Sequence, residues 1–207
     1  QCDRRQRQMC IRDSSKSVRK GVKKSLMIVD MPFNTYKNKL QALKNCKKII
    51  KETKCDGIKL EGGSKIKDII KHLVNNKIPV MGHIGITPQS QRGRFRYKGK
   101  TEKEKKNLLK DSKILEEAGV FAIVLECIEK KLSKKITETI EIPTIGIGSS
   151  KFCDGQILVL DDLLGLTNSK IKFVKKYANF KSNIRNAVKK FGSDVKRGSY
   201  PSLKHSY

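Results

Sequence analysis

Short apolar runs alternate with amphipathic segments along this chain, and that alternation restricts its fold more than any other feature. Six runs each end in a polar or glycine-rich turn; they span residues 25–30, 55–63, 78–83, 120–126, 142–148 and 156–162. Leucine and isoleucine recur with helical spacing in the segments between them, at 40–50, 66–74 and 108–118 and more weakly at 132–136. Nearly continuous apolar strands that alternate with helices predict a parallel sheet covered on both faces.

Polar side chains stand at the carboxyl ends of these predicted strands. They are Asp30, Glu61, His83, Glu126 and Asp161. Active-site residues collect at this end of a closed (β/α)₈ barrel, and an open doubly wound sheet also binds ligands there. No GxGxxG pattern follows the first strand, so we favour the barrel.

The strand count is lower than a barrel needs. Six strands are visible in the sequence, whereas a (β/α)₈ barrel has eight. Two helices are predicted after the last strand, at residues 170–180 and 182–196. We therefore expect the two missing strands to belong before the first visible one.

The formal net charge of +27 raises the possibility of a nucleic-acid-binding protein. Most of the basic residues are lysines placed between the apolar positions of predicted helices, as in YKNKLQALKNCKKIIKETK. That distribution is typical of solvated helix faces, so we expect no nucleic-acid partner.

No apolar run approaches the roughly 20 residues that span a bilayer, and no secretory signal is recognisable. The six cysteines lack CxxC or zinc-site spacing, which favours reduced thiols. We expect a cytoplasmic protein with no membrane partner.

Lys59 and Glu61 lie two residues apart in IKLEGG, so both side chains point to one face of a strand. They form either a structural ion pair or part of a site, because unpaired charges in an apolar strand are costly. Asp30 precedes MPF and could be a turn or capping residue. Together with Glu61 it could also bind Mg²⁺, which takes one or two carboxylates and completes its shell with water and substrate oxygen.

Glu126 ends the most apolar run, IVLE, where it is either a general base or a glutamate held by a basic neighbour. His83 is a ligand of the site, a group that orients another side chain, or a core histidine with its hydrogen bonds made inside the protein. Basic and aromatic residues interleave in QRGRFRYKGK, residues 91–100. This segment resembles a single-stranded nucleic-acid site only weakly, and we favour a lid over the barrel that meets an anionic substrate.

Several motifs, in order from about Ser25 onward, closely resemble the ketopantoate hydroxymethyltransferase family. They are IVDMPF, GIKLEGG, IPVMGHIGITPQS, LEEAGVFAIVLEC and IPTIGIGSSKFCDGQILVLDDLLGL. The resemblance implies a (β/α)₈ TIM barrel of the phosphoenolpyruvate/pyruvate class, usually decameric. It also implies Mg²⁺-dependent transfer of a one-carbon unit from 5,10-methylenetetrahydrofolate to 3-methyl-2-oxobutanoate in pantothenate biosynthesis.

The same resemblance implies a role for each candidate residue. Asp30 is a metal ligand that also meets the keto acid, and Lys59 binds the keto acid. Glu61 belongs to the metal site through a water molecule. Glu126 is the proton acceptor, and His83 lies near the bound substrate.

The chain departs from the family pattern in two places. GIGSS, residues 146–150, stands where the family usually has GIGAG, a change that we expect the loop to tolerate. The family's GDS turn, with a metal-binding Asp and a substrate-binding Ser, has no counterpart, so one direct metal ligand is lacking.

The opening segment differs from everything after it. RRQRQMCIRDS, residues 4–14, can be encoded in one frame by a transposase-based sequencing adapter. We therefore expect residues 1–14 to be foreign, residues 15–207 to be a partial barrel with carboxyl-terminal helices, and the 207-residue chain to have little activity.

Overall fold

The computed structural model describes residues 4–90 and 96–207. The chain divides into two compact units, Gln1–Ile157 and Leu158–Tyr207. All six strands lie in the first unit.

The first unit is built on one parallel sheet. Its strands are β1 (Ile28–Asp30), β2 (Gly57–Glu61), β3 (Val80–Gly85), β4 (Ala122–Glu126), β5 (Thr144–Ile147) and β6 (Gly155–Gln156). They are hydrogen-bonded in sequence order, and each neighbouring pair is parallel. This is the strand order of a (β/α)₈ barrel, and it confirms the predicted fold class with six strands. Within the described residues β1 and β6 do not pair with each other.

Helices connect the strands and cover the outer face of the sheet. They are α1 (Arg4–Gly21), α2 (Lys39–Thr53), α3 (Lys67–Asn75), α4 (Glu102–Glu117) and α5 (Lys130–Thr139), with a 3₁₀ turn at Ser64–Ile66. The side chains of Asn38, Thr101 and Glu129 accept backbone N–H groups at the starts of α2, α4 and α5. Gly119, with φ of 90°, follows the end of α4, as its position predicts.

The central strands are buried on both faces, which explains their apolar sequences. Ile58, Leu60, Val80, Ile123 and Leu125 have no exposed surface. The helices contribute buried side chains such as Ala42, Ile70, Leu115 and Ile136 to the same core. Because both faces of the sheet are covered, the carboxyl ends of the strands are where polar groups can converge.

The second unit contains α6 (Leu160–Leu163), α7 (Phe180–Lys196) and a 3₁₀ turn at Leu203–His205. The side chain of Asn179 accepts the backbone N–H of Ser182 and so caps α7. No helix in the part of the chain that the structure describes is long and apolar enough to cross a bilayer.

Two predicted elements are wrong. The sixth strand ends at Gln156 instead of continuing to residue 162, and Asp161 lies in the first turn of α6, where a carboxylate suits the helix dipole. The helix predicted at 170–180 is absent: residues 170–179, all described, form turns. The N–H groups of Tyr177 and Phe180 bond to the carbonyls of Leu163 and Leu164, so long-range pairing replaces the local helical pattern.

Helix α1 crosses the predicted boundary between residues 14 and 15. The assignment of residues 1–14 to an adapter stays a prediction.

Candidate functional site

Four neighbouring strands bring the predicted site residues together. Asp30 ends β1, Glu61 ends β2 two residues after Lys59, His83 lies in β3, and Glu126 ends β4. The register places Asp30 beside Lys59 and Glu61 beside His83. The five side chains therefore lie at one edge of the sheet, as their positions at the strand ends predict.

Their polar atoms form a continuous series of contacts. Lys59 Nζ lies 2.9 Å from Asp30 Oδ1 and 3.1 Å from His83 Nδ1. On the other side of the ring, His83 Nε2 lies 3.2 Å from Glu126 Oε2. One side chain from each of four strands thus takes part in a single polar network.

Burial increases along this series from Asp30 at the sheet edge to His83 on a central strand, and Glu126 is again partly exposed. The Asp30 side chain is 41% exposed and that of Lys59 is 16% exposed. The His83 side chain is only 3% exposed, and Glu126 retains 19%. A carboxylate that keeps limited solvent access beside a buried ring can both be held in place and meet a substrate.

Glu61 is the most enclosed carboxylate of the group. Its side chain is 4% exposed, and its Oε1 lies 3.8 Å from His83 Nδ1. The backbone N–H of Gln89 donates to Oε2 at 3.1 Å. Burial raises the pKa of Glu61, while the positive charge of Lys59 and the hydrogen bond from Gln89 N–H oppose that rise.

Tyr36 fixes the backbone at the end of β2. Its hydroxyl donates to the carbonyl oxygen of Glu61 at 3.3 Å, and burial raises the pKa of Tyr36 to about 12. The phenol therefore acts as a hydrogen-bond donor at neutral pH.

A glycine allows β3 to approach the backbone of Glu126. Gly85 has φ of 102°, and a Cβ there would lie 2.2 Å from the Glu126 carbonyl oxygen. The N–H of Ile86 donates to that oxygen at 2.9 Å. The backbone that carries Glu126 is therefore bonded directly to the end of β3.

The residue after Glu126 has an unusual backbone conformation. Cys127 has φ of 50°, in the left-handed region that non-glycine residues seldom adopt. Its N–H donates to Ile147 O at 2.8 Å, and burial, together with the Glu126 charge, raises the pKa of the Cys127 thiol to about 11. The thiol is therefore protonated near neutral pH and is no nucleophile of this site.

The site contains more acidic than basic groups, a balance that favours binding of a cation. Its carboxylates are those of Asp30, Glu61 and Glu126, and the ammonium in contact with them is that of Lys59. Asp30 Oδ1 is enclosed, and its neighbour is the Lys59 ammonium at 2.9 Å. Asp30 and Glu61 are the carboxylates at this edge that could contact a cation such as Mg²⁺, which takes one or two carboxylates from proteins. Among the described residues, no cluster of three or more His, Cys, Asp or Glu is arranged to hold a metal ion.

Two contacts of the site were not predicted. Gln89 belongs to the TPQS turn, and its main-chain N–H holds Glu61, although nothing in the residue type indicates that role. Ser149 belongs to the altered GIGSS segment. Its hydroxyl donates to Leu125 O at 2.7 Å and accepts from Ile128 N–H at 3.1 Å, so it bridges the turn after Glu126.

The loop predicted to form a lid is described only in part, because residues 91–95 lie outside the described residues. Lys98 pairs with the turn after β4: its N–H donates to Cys127 O, and its carbonyl accepts from Glu129 N–H. The lid function stays a prediction.

A cavity of about 290 Å³ adjoins the site at the sheet edge. Val29 and Asp30 of β1 line it together with Ile11 and Val18 of α1. The wall of the cavity is predominantly apolar, and Asp30 is the acidic residue that lines it.

Comparison with known proteins identifies relatives that match most of both units. A family model described as ketopantoate hydroxymethyltransferase matches residues 7–203. A protein of Pelagibacter ubique (strain HTCC1062), named 3-methyl-2-oxobutanoate hydroxymethyltransferase, is 60% identical over 94% of this chain and 76% of its own length. A protein of the same name from Clostridium botulinum (strain Alaska E43 / Type E3) is 49% identical over 93% of this chain and 72% of its own length.

A solved structure from Burkholderia cenocepacia J2315, described as a candidate phosphonomutase, supports the fold. It covers 92% of this chain and 78% of its own length with a TM-score of 0.51 and 9% identity. The alternative of a nucleic-acid-binding protein receives no support from these similarities. The relatives, together with the polar network at the strand ends, confirm the predicted family: the chain belongs to the ketopantoate hydroxymethyltransferases, a family of transferases.

Proposed function

We propose that this site transfers a hydroxymethyl group from 5,10-methylenetetrahydrofolate to 3-methyl-2-oxobutanoate and so forms 2-dehydropantoate for pantothenate biosynthesis. The names of the relatives support this reaction. The single observation that carries it is the placement of a partly exposed base, Glu126, in one polar network with Lys59 and Asp30.

Glu126 is proposed to accept the proton from C3 of the keto acid. Breaking that C–H bond leaves the electron pair as an enolate, whose negative charge develops on the keto oxygen. Water displaces both folate nitrogens from the methylene carbon, and the two nitrogens take the protons of the water and leave as tetrahydrofolate. C3 then forms a bond to the released one-carbon unit, whose carbonyl oxygen takes the proton held by Glu126 and becomes the hydroxyl group. A fixed carboxylate within reach of C3 is what the first step requires.

Lys59 is proposed to bind the carboxylate of the keto acid. Its ammonium is 16% exposed and already lies between Asp30 and His83, so its position is restricted before substrate binds. A pre-positioned charge orients the substrate with little loss of side-chain entropy.

Asp30 and Glu61 would hold Mg²⁺, since their carboxylates lie at the ends of adjacent strands. When bound, the ion supplies Lewis-acid stabilisation of the negative charge that develops on the keto oxygen. Lys59 beside Asp30 limits the repulsion between the carboxylates.

Exchange of the C3 proton of 3-methyl-2-oxobutanoate in deuterated water, followed by proton NMR with and without Mg²⁺, tests the proposal. The assay compares the 207-residue chain with a chimera that adds the amino-terminal region of the Pelagibacter ubique relative. We expect exchange by the chimera and little by the 207-residue chain, because β1, which carries Asp30, has a strand neighbour on one side among the described residues, namely β2.

Glu126→Gln in the chimera keeps the size and hydrogen bonding of the side chain but removes the base. We expect exchange to fall by about 10² to 10⁴, with an unchanged circular dichroism spectrum and melting temperature. A variant that keeps its exchange rate would refute the assignment of Glu126, and a chimera without exchange would refute the proposed reaction.

We also propose that the protein is cytoplasmic and, like the family it resembles, assembles as a homo-oligomer such as a decamer. Light scattering coupled to size-exclusion chromatography would measure the mass of the chimera. A monomer at micromolar concentration would contradict the proposed assembly.

A further inference from the structure

We propose that His83 is a positioning residue that holds the Glu126 carboxylate, and that Lys59 sets the tautomer in which it does so. The role of Glu126 as base rests on the proposed function. The tautomer itself rests only on the contacts of this chain.

The first step concerns the nitrogen that faces Lys59. Lys59 Nζ lies 3.1 Å from His83 Nδ1 and 2.9 Å from Asp30 Oδ1. An ammonium group has three donors and no acceptor. Since Lys59 can only donate, Nδ1 must accept and therefore carries no proton. The proton of the neutral ring is then on Nε2.

The opposite tautomer has no comparable partner. A proton on Nδ1 would face Lys59 as a second donor, and the nearest carboxylate oxygen on that side, Glu61 Oε1, is 3.8 Å away. That distance exceeds the range of a hydrogen bond. The contacts of Nδ1 therefore favour the tautomer that carries its proton on Nε2.

The second step concerns the nitrogen that faces Glu126. His83 Nε2 lies 3.2 Å from Glu126 Oε2. The contact is not aligned as a hydrogen bond, and within the described part of the chain Nε2 has no other aligned acceptor. Catalytic hydrogen bonds often align fully only once substrate is bound. Glu126 is therefore the group that takes this donor after a small rotation of its carboxylate.

The surroundings of the ring make it a rigid support. The His83 side chain is 3% exposed, and β3 is paired with β2 on one side and β4 on the other. The backbone of Glu126 is also attached to β3 through Ile86 N–H. With Nδ1 engaged by Lys59 and Nε2 facing Glu126 Oε2 at 3.2 Å, His83 fixes one oxygen of Glu126 and leaves the other oxygen for the C3 proton.

The nitrogen chemical shifts of the histidines test the tautomer directly. The 207-residue chain is labelled with ¹⁵N-histidine and studied near neutral pH by two-bond proton–nitrogen correlation. For His83 we expect an unprotonated Nδ1 and a protonated Nε2. A ring with the proton on Nδ1, two protons, or rapid averaging between tautomers would overturn the proposal. His72→Gln and His205→Gln variants assign the other two histidine signals without altering the network.

Two substitutions separate a positioning role from simple packing. Lys59→Met removes the donor to Nδ1, and we expect the fixed tautomer to be lost, with both ring nitrogens moving toward averaged shifts. Glu126→Gln changes the acceptor at Nε2, and we expect the Nε2–H proton signal to move upfield with the tautomer retained. If Lys59→Met leaves the His83 shifts unchanged, Lys59 does not set the tautomer and the proposal is wrong.

A third comparison connects the tautomer to Glu126. In the chimera, His83→Gln can still present an amide N–H toward Glu126, whereas His83→Leu cannot. We expect His83→Leu to lower the rate of C3 exchange by about 10- to 100-fold, as for other residues that orient a reacting group, and His83→Gln to lose less. Equal losses in both variants would overturn the positioning role. If the tautomer is as expected but the unmodified chimera shows no exchange, the proposed function fails and the tautomer assignment stands.

Discussion

The centre and the edge of the sheet hold different parts of the site. His83 and Glu126 lie on β3 and β4, which are paired along their length and enclosed by helices. Asp30 ends β1, a three-residue strand that lies at one end of the strand order in the described chain, pairs with β2 and lines a cavity. The His83 side chain is 3% exposed, whereas that of Asp30 is 41% exposed.

This difference in burial agrees with how precisely each proposed role requires the side chain to be positioned. A base must meet one proton within a few tenths of an ångström, so a rigid position on central strands suits it. A carboxylate that binds Mg²⁺ shares the ion with water and substrate oxygen, so its position can vary more. If this is correct, substitutions at the centre of the sheet should cost more stability than substitutions at its edge.

The largest effect is expected where the two central strands touch. Gly85→Ala places a Cβ 2.2 Å from the Glu126 carbonyl oxygen at a φ of 102°. Backbone on both sides has to move, so we expect a loss of about 3 kcal/mol or more in the free energy of unfolding. Urea denaturation measures it. Gly21→Ala is the control, because its Cβ would meet no atom of the described chain within 4 Å. Equal stabilities for the two variants would refute the tight contact.

The same valine substitution at both locations compares centre with edge. Val124 in β4 is 2% exposed and Val29 in β1 is 4% exposed, so burial alone does not distinguish them. Val29 also borders the 290 Å³ cavity, where packing partners are lacking on one side. We expect Val124→Ala to cost about 2 kcal/mol and Val29→Ala about half of that. A larger loss at Val29 would show that the edge is as tightly packed as the centre.

The central part of the site was predictable from local patterns. Apolar runs bounded by turns predict β2, β3 and β4, and neighbouring parallel strands have their carboxyl ends side by side. The sequence alone therefore predicts that four site residues lie close together, and the structure confirms it for Lys59, Glu61, His83 and Glu126. Assigning their roles required the distances between their polar atoms. From the sequence, His83 could be a ligand, an orienting group or a core residue.

The remaining features depend on contacts between distant segments. Gln89 reaches Glu61 across 28 residues, and Ser149 reaches Leu125 across 24. The periodic spacing of apolar residues predicts helices and strands, but it does not predict hydrogen bonds between residues so far apart in the chain. The segment 170–180 has the apolar spacing of a helix, but two of its N–H groups bond to the end of α6 instead. Tertiary hydrogen bonding overrides helix propensity there.

Mg²⁺ is expected to stabilise the edge of the site. A ligand at ten times its dissociation constant, if it binds only the folded chain, adds about 1.4 kcal/mol. We expect Mg²⁺ to raise the melting temperature of the 207-residue chain and Asp30→Asn to abolish that rise. Differential scanning fluorimetry with Mg²⁺ titrated against a constant ionic strength measures the effect. Glu138→Gln, whose side chain is 62% exposed on α5, is the control. An undiminished rise in Asp30→Asn would exclude Asp30 as a ligand.

The smallest effect concerns Ser149, which stands where the family usually has alanine. Its hydroxyl connects Leu125 O with Ile128 N–H and so spans the left-handed residue Cys127. Ser149→Ala removes both hydrogen bonds, and we expect a loss of about 1 kcal/mol in urea denaturation. Ser17→Ala, on the exposed side of α1, should cost nothing measurable.

Hydrogen exchange can locate the loss at Ser149. We expect faster amide exchange at residues 127–129 in Ser149→Ala and unchanged protection in β3, because the hydroxyl braces only the turn after Glu126. Uniform loosening of β3 and β4 would mean that the serine supports the whole centre of the sheet. Protection that stays unchanged everywhere would mean that the backbone of β4, held by Ile86 N–H and Cys127 N–H, fixes Glu126 without it.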